Sequence, residues 1–113
     1  MNHRKFTRAN AYVIMRYTCP TSDNDEEIQT RIADISEQGL SAVTSAKGPA
    51  SGTLVKMNFV IPGNKAHFVS VVGRVKHIDL LEKGICRLGV EFVDLGKIDQ
   101  LAIQEYVVSL QKM

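Results

Sequence analysis

The chain has 113 residues, the length of a single domain, with 44% apolar residues, 23% charged residues and a formal net charge of +2. This composition is typical of a globular domain, and the small net charge excludes a protein that binds nucleic acid through bulk charge alone. No apolar stretch reaches the about 18 residues that a membrane span needs, and none follows the basic N-terminus as a secretory signal would require. We therefore expect a cytoplasmic protein with no membrane insertion.

Charge is unevenly distributed along the chain. Residues 1–18 carry basic side chains and no acidic one, and an acidic cluster follows at 23–27. We predict that residues 1–10 form a basic N-terminal arm that attracts anions, and that residues 11–113 form the folded domain.

Six short segments have the composition or the period-two alternation of β-strands, and Gly, Pro, Asn and Asp residues separate them. The predicted strands are 11–17, 28–36, 40–44, 55–61, 66–78 and 86–92. Gly73 falls inside the long fifth segment, where it predicts a bulge or a bend.

The periodicity changes near the C-terminus. Between Ile103 and Leu110, apolar residues recur at i, i+3, i+4 and i+7, which predicts an amphipathic helix over about 95–112. Asp94 is expected to be its N-cap or to lie in its first turn. Six strands followed by one helix predict an all-β fold, a small antiparallel barrel with a C-terminal helix. The apolar stripe of the helix must pack on an open end of the barrel or against a partner.

Two short motifs carry the distinctive polar side chains. The first is RxxxR on the basic arm, formed by Arg4 and Arg8. The second is DxSxxG at the end of the second strand, formed by Asp34, Ser36 and Gly39. Residues two apart in an extended chain point the same way, so Asp34 and Ser36 are expected to share one face. Glycine at position 39 tolerates a positive φ and lets another group approach the backbone closely.

This set of side chains suits an anionic guanine nucleotide. The guanidinium of arginine matches phosphate oxygens and also the O6 and N7 acceptors of guanine. A carboxylate matches the donors on the opposite edge of guanine, and a serine hydroxyl can donate or accept. The chemistry alone does not choose among the guanine nucleotides.

The two motifs, in this order, resemble the motif pair of the PilZ domain family. The resemblance continues through 52–55, 72–75 and 88–92 and into the final helix. It implies a six-stranded barrel with a C-terminal helix. It also implies cyclic di-GMP as the ligand, with no other cofactor.

The same resemblance implies a role for each motif residue. Arg4 and Arg8 would bind phosphates and guanine edges, and the arm would move onto the barrel as the ligand binds. Asp34 and Ser36 would contact guanine or hold the arginines in place. Gly39 would shape the turn.

Lys5 lies between the two arginines and is a secondary candidate, since it adds charge without belonging to the motif. Many members of the family are fused to an effector domain, and this chain is not. We therefore expect a stand-alone receptor that changes conformation with the nucleotide. It would act on an unidentified effector protein in motility, adhesion or exopolysaccharide control. The expected state is a monomer or a weak dimer.

Two other functions are compatible with a small barrel of this kind. A PilZ-like barrel can work as a ligand-independent interaction module, for example in the assembly of surface pili, although the intact motifs argue against it. A small barrel can also bind single-stranded nucleic acid through aromatic platforms in a basic groove. Only Phe6, Tyr12 and Tyr17 lie near the basic arm, so we expect no nucleic-acid polymer as a partner.

The remaining reactive side chains form no recognisable centre. His3, His67 and His77 have no metal-ligand spacing, and Cys19 and Cys86 form no CxxC pair and are expected to be thiols. No local signature of a hydrolase or a phosphate-binding loop is present. We therefore expect neither a metal site nor catalytic activity.

Overall fold

The structure, a computed structural model, describes residues 9–19, 26–44 and 49–111. Within these residues, six strands close into an antiparallel barrel and one helix follows. The elements are β1 (Ala9–Thr18), β2 (Ile28–Ile35), β3 (Gly39–Thr44), β4 (Leu54–Ile61), β5 (His67–Glu82), β6 (Ile85–Val93) and α1 (Lys97–Gln111). The order around the barrel is β1-β2-β3-β6-β5-β4. The predicted all-β barrel with a C-terminal helix is confirmed.

The barrel interior is built by the alternation that the sequence shows. In β4, the side chains of Val55, Met57 and Phe59 are buried. Lys56 lies between the first two and Val60 follows the third, and both are exposed. Burial of one large apolar side chain stabilises a fold by about 1.5–3 kcal/mol. A one-residue slip would turn the whole set outward, so this alternation fixes the register of each strand.

Helix α1 packs on one end of the barrel. Ile103 and Val107 are buried in the hydrophobic core, and Tyr106 and Leu110 pack against it at the rim. The helix contacts β1, β4 and β5. The predicted apolar stripe therefore covers an open end of the barrel. No helix among the described residues is long and apolar enough to cross a membrane.

The start of α1 differs from the prediction. Asp94 has a φ of 56°, a left-handed conformation that cannot belong to a right-handed helix, and α1 begins only at Lys97. The carbonyl of Gly96 accepts a hydrogen bond from the backbone N–H of Gln100 at 2.9 Å. Asp99 is the acidic residue of the first turn. The prediction that Asp94 caps the helix or lies in its first turn is therefore wrong.

Strand β5 is longer than predicted, and its irregularities do not lie at Gly73. Gly73 keeps a regular register with both neighbouring strands, while the register shifts of β5 follow Val75 and Leu80. A Cβ at position 73 would lie 2.4 Å from Val90 Cγ1 and 2.6 Å from Met57 Cε. The predicted bulge or bend at this glycine is wrong, because the glycine is required by the packing of the barrel interior.

The end of the barrel that carries α1 also holds the start of β1 and the connection between β2 and β3. Ala9 at the beginning of β1 is paired with Ile35 at the end of β2. The segment that precedes β1 in the chain therefore joins the barrel beside this connection. This arrangement sets the position of the candidate site.

Candidate functional site

The DxSxxG motif lies where β2 passes into β3. Asp34 is near the end of β2, Ser36 follows the strand, and Gly39 opens β3. Asn10 of β1 lies directly opposite Asp34 in the sheet. Strand β1, which the RxxxR motif precedes in sequence, therefore begins beside the DxSxxG motif.

Asp34 is held by its cross-strand partner. Its Oδ2 accepts a hydrogen bond from Ser41 Oγ at 2.7 Å, and the two residues face each other across β2 and β3. A register shift between Ile32 and Asp34 accompanies this pair. Bulges of this kind change the direction of a side chain near a strand end. The half-buried carboxylate is an acceptor of the kind that a guanine edge or an arginine requires.

Ser36 is almost entirely buried, with 2% of its surface exposed. Its hydroxyl accepts a hydrogen bond from the Gln38 backbone N–H at 3.2 Å and lies 3.4 Å from the carbonyl oxygen of Gly39, to which it donates. The backbone N–H of Ser36 donates to the same carbonyl at 2.9 Å. The side chain therefore stabilises the connection between β2 and β3.

Gly39 lies against the backbone of β6. A Cβ at this position would be 2.1 Å from the carbonyl oxygen of Val90 and 3.1 Å from the Cα of Glu91. The backbone N–H of Phe92 donates to the carbonyl of Gln38 at 2.8 Å, which ties β6 to the connection. The expected close approach therefore occurs, and β6 is the approaching group. The positive φ that glycine permits is not used at this position.

A recess of about 90 Å³ opens beside the motif on the outer wall of the barrel. It is lined by Gln38, Gly39, Lys76, His77, Gly89, Val90 and Glu91. The imidazole of His77 covers Gly89, where a Cβ would lie 2.3 Å from the ring. The wall next to the motif thus presents an ammonium group and a flat ring. Sequence reasoning missed Lys76 and His77, because only the pairing of β5 with β6 brings them near the motif.

The connection between β2 and β3 also contacts the helix. Gln104 Nε2 of α1 donates a hydrogen bond to the Glu37 carboxylate. A separate cleft of about 480 Å³ lies between α1 and the connection from β4 to β5. There His67 Nε2 and Asp99 Oδ1 are 2.7 Å apart. In the part of the chain that the structure describes, no three His, Cys, Asp or Glu side chains group as metal ligands would.

The predicted residues Arg4, Lys5 and Arg8 lie outside the described residues. The sequence profile of the PilZ domain matches residues 2–109 and so spans both motifs. The chain belongs to the PilZ domain family. A sequence search among curated proteins finds no match to this PilZ chain.

Solved structures share its fold. The Bacillus subtilis inhibitor of motility MotI/DgrA has a TM-score of 0.83 at 21% identity, over 99% of this PilZ chain and 53% of that chain. The PilZ domain of Escherichia coli YcgR with c-di-GMP has a TM-score of 0.76 at 16% identity, over 98% of this PilZ chain and 93% of that chain. The K. pneumonia MrkH–c-di-GMP complex has a TM-score of 0.71 at 18% identity, over 99% of this PilZ chain and 53% of that chain. This PilZ chain spans about half the length of MotI/DgrA and of MrkH.

Proposed function

We propose that this PilZ chain is a receptor for cyclic di-GMP that has no catalytic activity and acts on a separate effector protein. The observation that carries the proposal is the position of Asp34 opposite Asn10, at the start of the strand into which the RxxxR segment leads. Similar PilZ structures from E. coli and K. pneumonia are described with c-di-GMP. The receptor would act in the cytoplasm, as a monomer or a weak dimer.

The proposed roles of the motif residues follow from their chemistry. Arg4 and Arg8 would bind the phosphates and the O6 and N7 edge of guanine, since the guanidinium matches both sets of acceptors. Lys5 would add charge beside them. Asp34 would accept from the other edge of guanine or from an arginine, in the orientation that Ser41 gives it.

Ser36 and Gly39 would support the ligand in a different way. The hydroxyl of Ser36 is bonded to the backbone of the connection, which favours a positioning role for this residue. Gly39 brings the connection against β6, so that the motif and the recess with Lys76 and His77 form one continuous wall. A guanine base placed over this wall would meet a cation and a flat ring.

The proposal is tested by calorimetric titration of the purified protein with cyclic di-GMP. The wild type is expected to bind, and Arg8→Ala and Asp34→Ala should each weaken binding by about tenfold or more, the effect of losing a charge-assisted hydrogen bond. Arg16→Ala is the matched control. Arg16 is an exposed arginine of β1, opposite Gln29 and far along the strand from the Asn10–Asp34 pair, where its Nε lies 3.8 Å from Glu27 Oε1.

Absence of heat and of a thermal shift in the wild type would contradict the proposal. Full affinity in Arg8→Ala would do the same. The first result would favour the ligand-independent interaction module on the same barrel, and the second would mean that the nucleotide binds without the RxxxR motif.

A further inference from the structure

Three neighbouring strands of the barrel expose an unusual number of apolar side chains. Strands β1, β4 and β5 are adjacent, and Val60 of β4 lies directly opposite Phe68 of β5. We call the outward surface of these strands up to Arg74 the β1–β4–β5 face. Its exposed apolar residues are Tyr12, Ile14, Leu54, Val60, Phe68 and Val72. Scattered exposed apolar residues are ordinary, but contiguous ones on one surface mark interaction sites.

The charges on this face are of one sign. Strands β1 and β4, and β5 as far as Arg74, contain no Asp or Glu. They contribute Arg16, Lys56 and Arg74, all exposed. Among the described residues, carboxylates lie at the margins of the face: Glu27 Oε1 is 3.8 Å from Arg16 Nε, Glu91 is the cross-strand partner of Arg74, and Asp99 Oδ1 is 2.7 Å from Nε2 of His67. The face is therefore apolar and basic.

The face and the DxSxxG motif occupy opposite halves of the barrel. The motif belongs to β2 and β3 and contacts β6, whereas the face belongs to β1, β4 and β5. Strand β1 links them, because Asn10 lies beside Asp34 and Tyr12 and Ile14 follow on the same strand. A ligand at the motif would leave the face accessible. It would act at the start of β1, which is one of the three strands of the face.

The charge and shape of the face disfavour two kinds of occupant. A second copy in an isologous contact would oppose its own cations, and like charges across an interface are unfavourable. Bases of a nucleic acid stack on ring faces, but four of the six exposed apolar residues are aliphatic. The guanidinium of Arg31 lies over one face of the Tyr12 ring, 5.4 Å from its centroid.

We infer that the β1–β4–β5 face docks the effector protein, through a partner surface with an apolar centre and an acidic rim. Exposed aromatic residues and arginines are the side chains most enriched in protein interfaces, and opposite charges at the rim give specificity. The inference deepens the proposed function, since it assumes that the receptor acts on an effector. It does not depend on which nucleotide binds at the motif.

The test is site-specific photocrosslinking in the native host, with p-benzoylphenylalanine placed at Ser70. Ser70 is exposed at the centre of the face, opposite Asn58. The control position is Leu80, which is 78% exposed on the hairpin of β5 and β6, outside the face. We expect a protein adduct from Ser70 that is absent from Leu80, and a mapped contact peptide rich in apolar and acidic residues.

The crosslinked protein is then purified and its affinity measured. Phe68→Glu should raise its Kd by at least about tenfold, as expected for the loss of an interface anchor, while Leu80→Glu should change the Kd by less than about twofold. Equal sensitivity to both variants would overturn the inference. So would Ser70 adducts only with lipid, with nucleic acid or with a second copy of the chain, or no adduct.

Calorimetry with cyclic di-GMP on the same variants separates the two proposals. If Phe68→Glu binds the nucleotide normally and loses the partner, the docking face is shown independently of the ligand site. If the protein with the probe at Ser70 forms the adduct but the wild type does not bind cyclic di-GMP, the proposed ligand is wrong and the docking face stands. If the wild type binds cyclic di-GMP but the probe at Ser70 gives no adduct, the proposed ligand stands and the docking face is wrong.

Discussion

Gly39 is a glycine because the backbone of β6 lies against it. Replacing Gly39 with Ala would place a methyl group 2.1 Å from the Val90 carbonyl oxygen, a backbone atom that cannot rotate away. We expect Gly39→Ala to lower the free energy of unfolding by about 1–3 kcal/mol or more, as overpacking does. Urea denaturation measures the change.

Gly63→Ala is the control for this substitution. A Cβ at Gly63 would meet only the Lys65 carbonyl oxygen, at 3.8 Å, which is an ordinary contact. This variant should unfold within about 0.5 kcal/mol of the wild type, as most surface substitutions do. If both variants had the same stability, the contact with β6 would not be the reason for glycine at position 39.

Ser41 is a second residue whose importance is visible only in the structure. Its hydroxyl donates to Asp34 and holds the carboxylate at the end of β2. A hydrogen bond to a charged group is worth about 1.5–3 kcal/mol, so Ser41→Ala should weaken cyclic di-GMP binding by roughly tenfold or more if Asp34 contacts the ligand. Calorimetry measures the effect.

Ser109→Ala is the matched control for Ser41→Ala. The hydroxyl of Ser109 also donates a short hydrogen bond, to the Tyr106 carbonyl at 2.7 Å, but it is exposed near the C-terminal end of α1. It should bind the nucleotide as the wild type does. Unchanged affinity in Ser41→Ala would mean that the orientation of Asp34 is set by other contacts.

At the scale of elements, the strands could be predicted because each carries its own signal. The alternation in β4 and in β6 depends only on which side chains face the core, and that is written in the local sequence. Gly73 and Asp94 could not be assigned correctly in this way. The first is a glycine because Val90 and Met57 approach it from other strands, and the second takes a left-handed turn before α1.

In the candidate site, too, the local motif could be predicted and the contacts between strands could not. The positions of Asp34, Ser36 and Gly39 follow from a short motif. The bond from Ser41 depends on the register between β2 and β3, and the recess with His77 depends on the pairing of β5 with β6. Contacts between strands distant in sequence leave no local pattern, so sequence reasoning found the motif and missed its neighbours.

The packing of α1 makes a prediction about the helix as an element. Ile103 is fully buried under the helix, while Leu101 of the same helix is 49% exposed. Ile103→Ala should destabilise the protein by about 2–5 kcal/mol, since it removes buried methyl groups and leaves a cavity. Leu101→Ala should cost far less. Thermal unfolding of the two variants would contradict this account of α1 if their Tm values were equal.

At the scale of the whole molecule, the barrel separates its working surfaces. The motif lies on the half formed by β2, β3 and β6, and the proposed docking face lies on the half formed by β1, β4 and β5. A closed barrel has no free sheet edges within the closed ring, and paired strands join the two halves at both of their boundaries. A signal between the halves is therefore expected to pass through β1, which belongs to the docking half and pairs with β2 of the other half.

The stability of the whole barrel should fall at alkaline pH. Burial raises the pKa of Tyr17 above its ordinary value of 10.0, and burial likewise raises the pKa values of Tyr106 and Cys19. Above these ordinary values the unfolded chain loses protons that the folded chain retains. The free energy of unfolding therefore decreases as the pH rises, by at most about 1.4 kcal/mol per pH unit for each group. Below the ordinary values this contribution to stability is fully present.

Tyr17 should dominate this loss, because its side chain is buried in the barrel interior, where its hydroxyl lies 3.5 Å from Thr44 Oγ1. Tyr17→Phe removes the ionisable group and keeps the ring. The urea midpoint of this variant should therefore fall less between pH 9 and pH 11 than that of the wild type. This pH window follows from the ordinary pKa values of 9.0 for Cys19 and 10.0 for Tyr17. Tyr106→Phe is the comparison, since Tyr106 is only partly buried and this variant should recover less of the alkaline stability than Tyr17→Phe. If Tyr17→Phe and the wild type lost stability in parallel, the alkaline sensitivity would have to come from the other two groups.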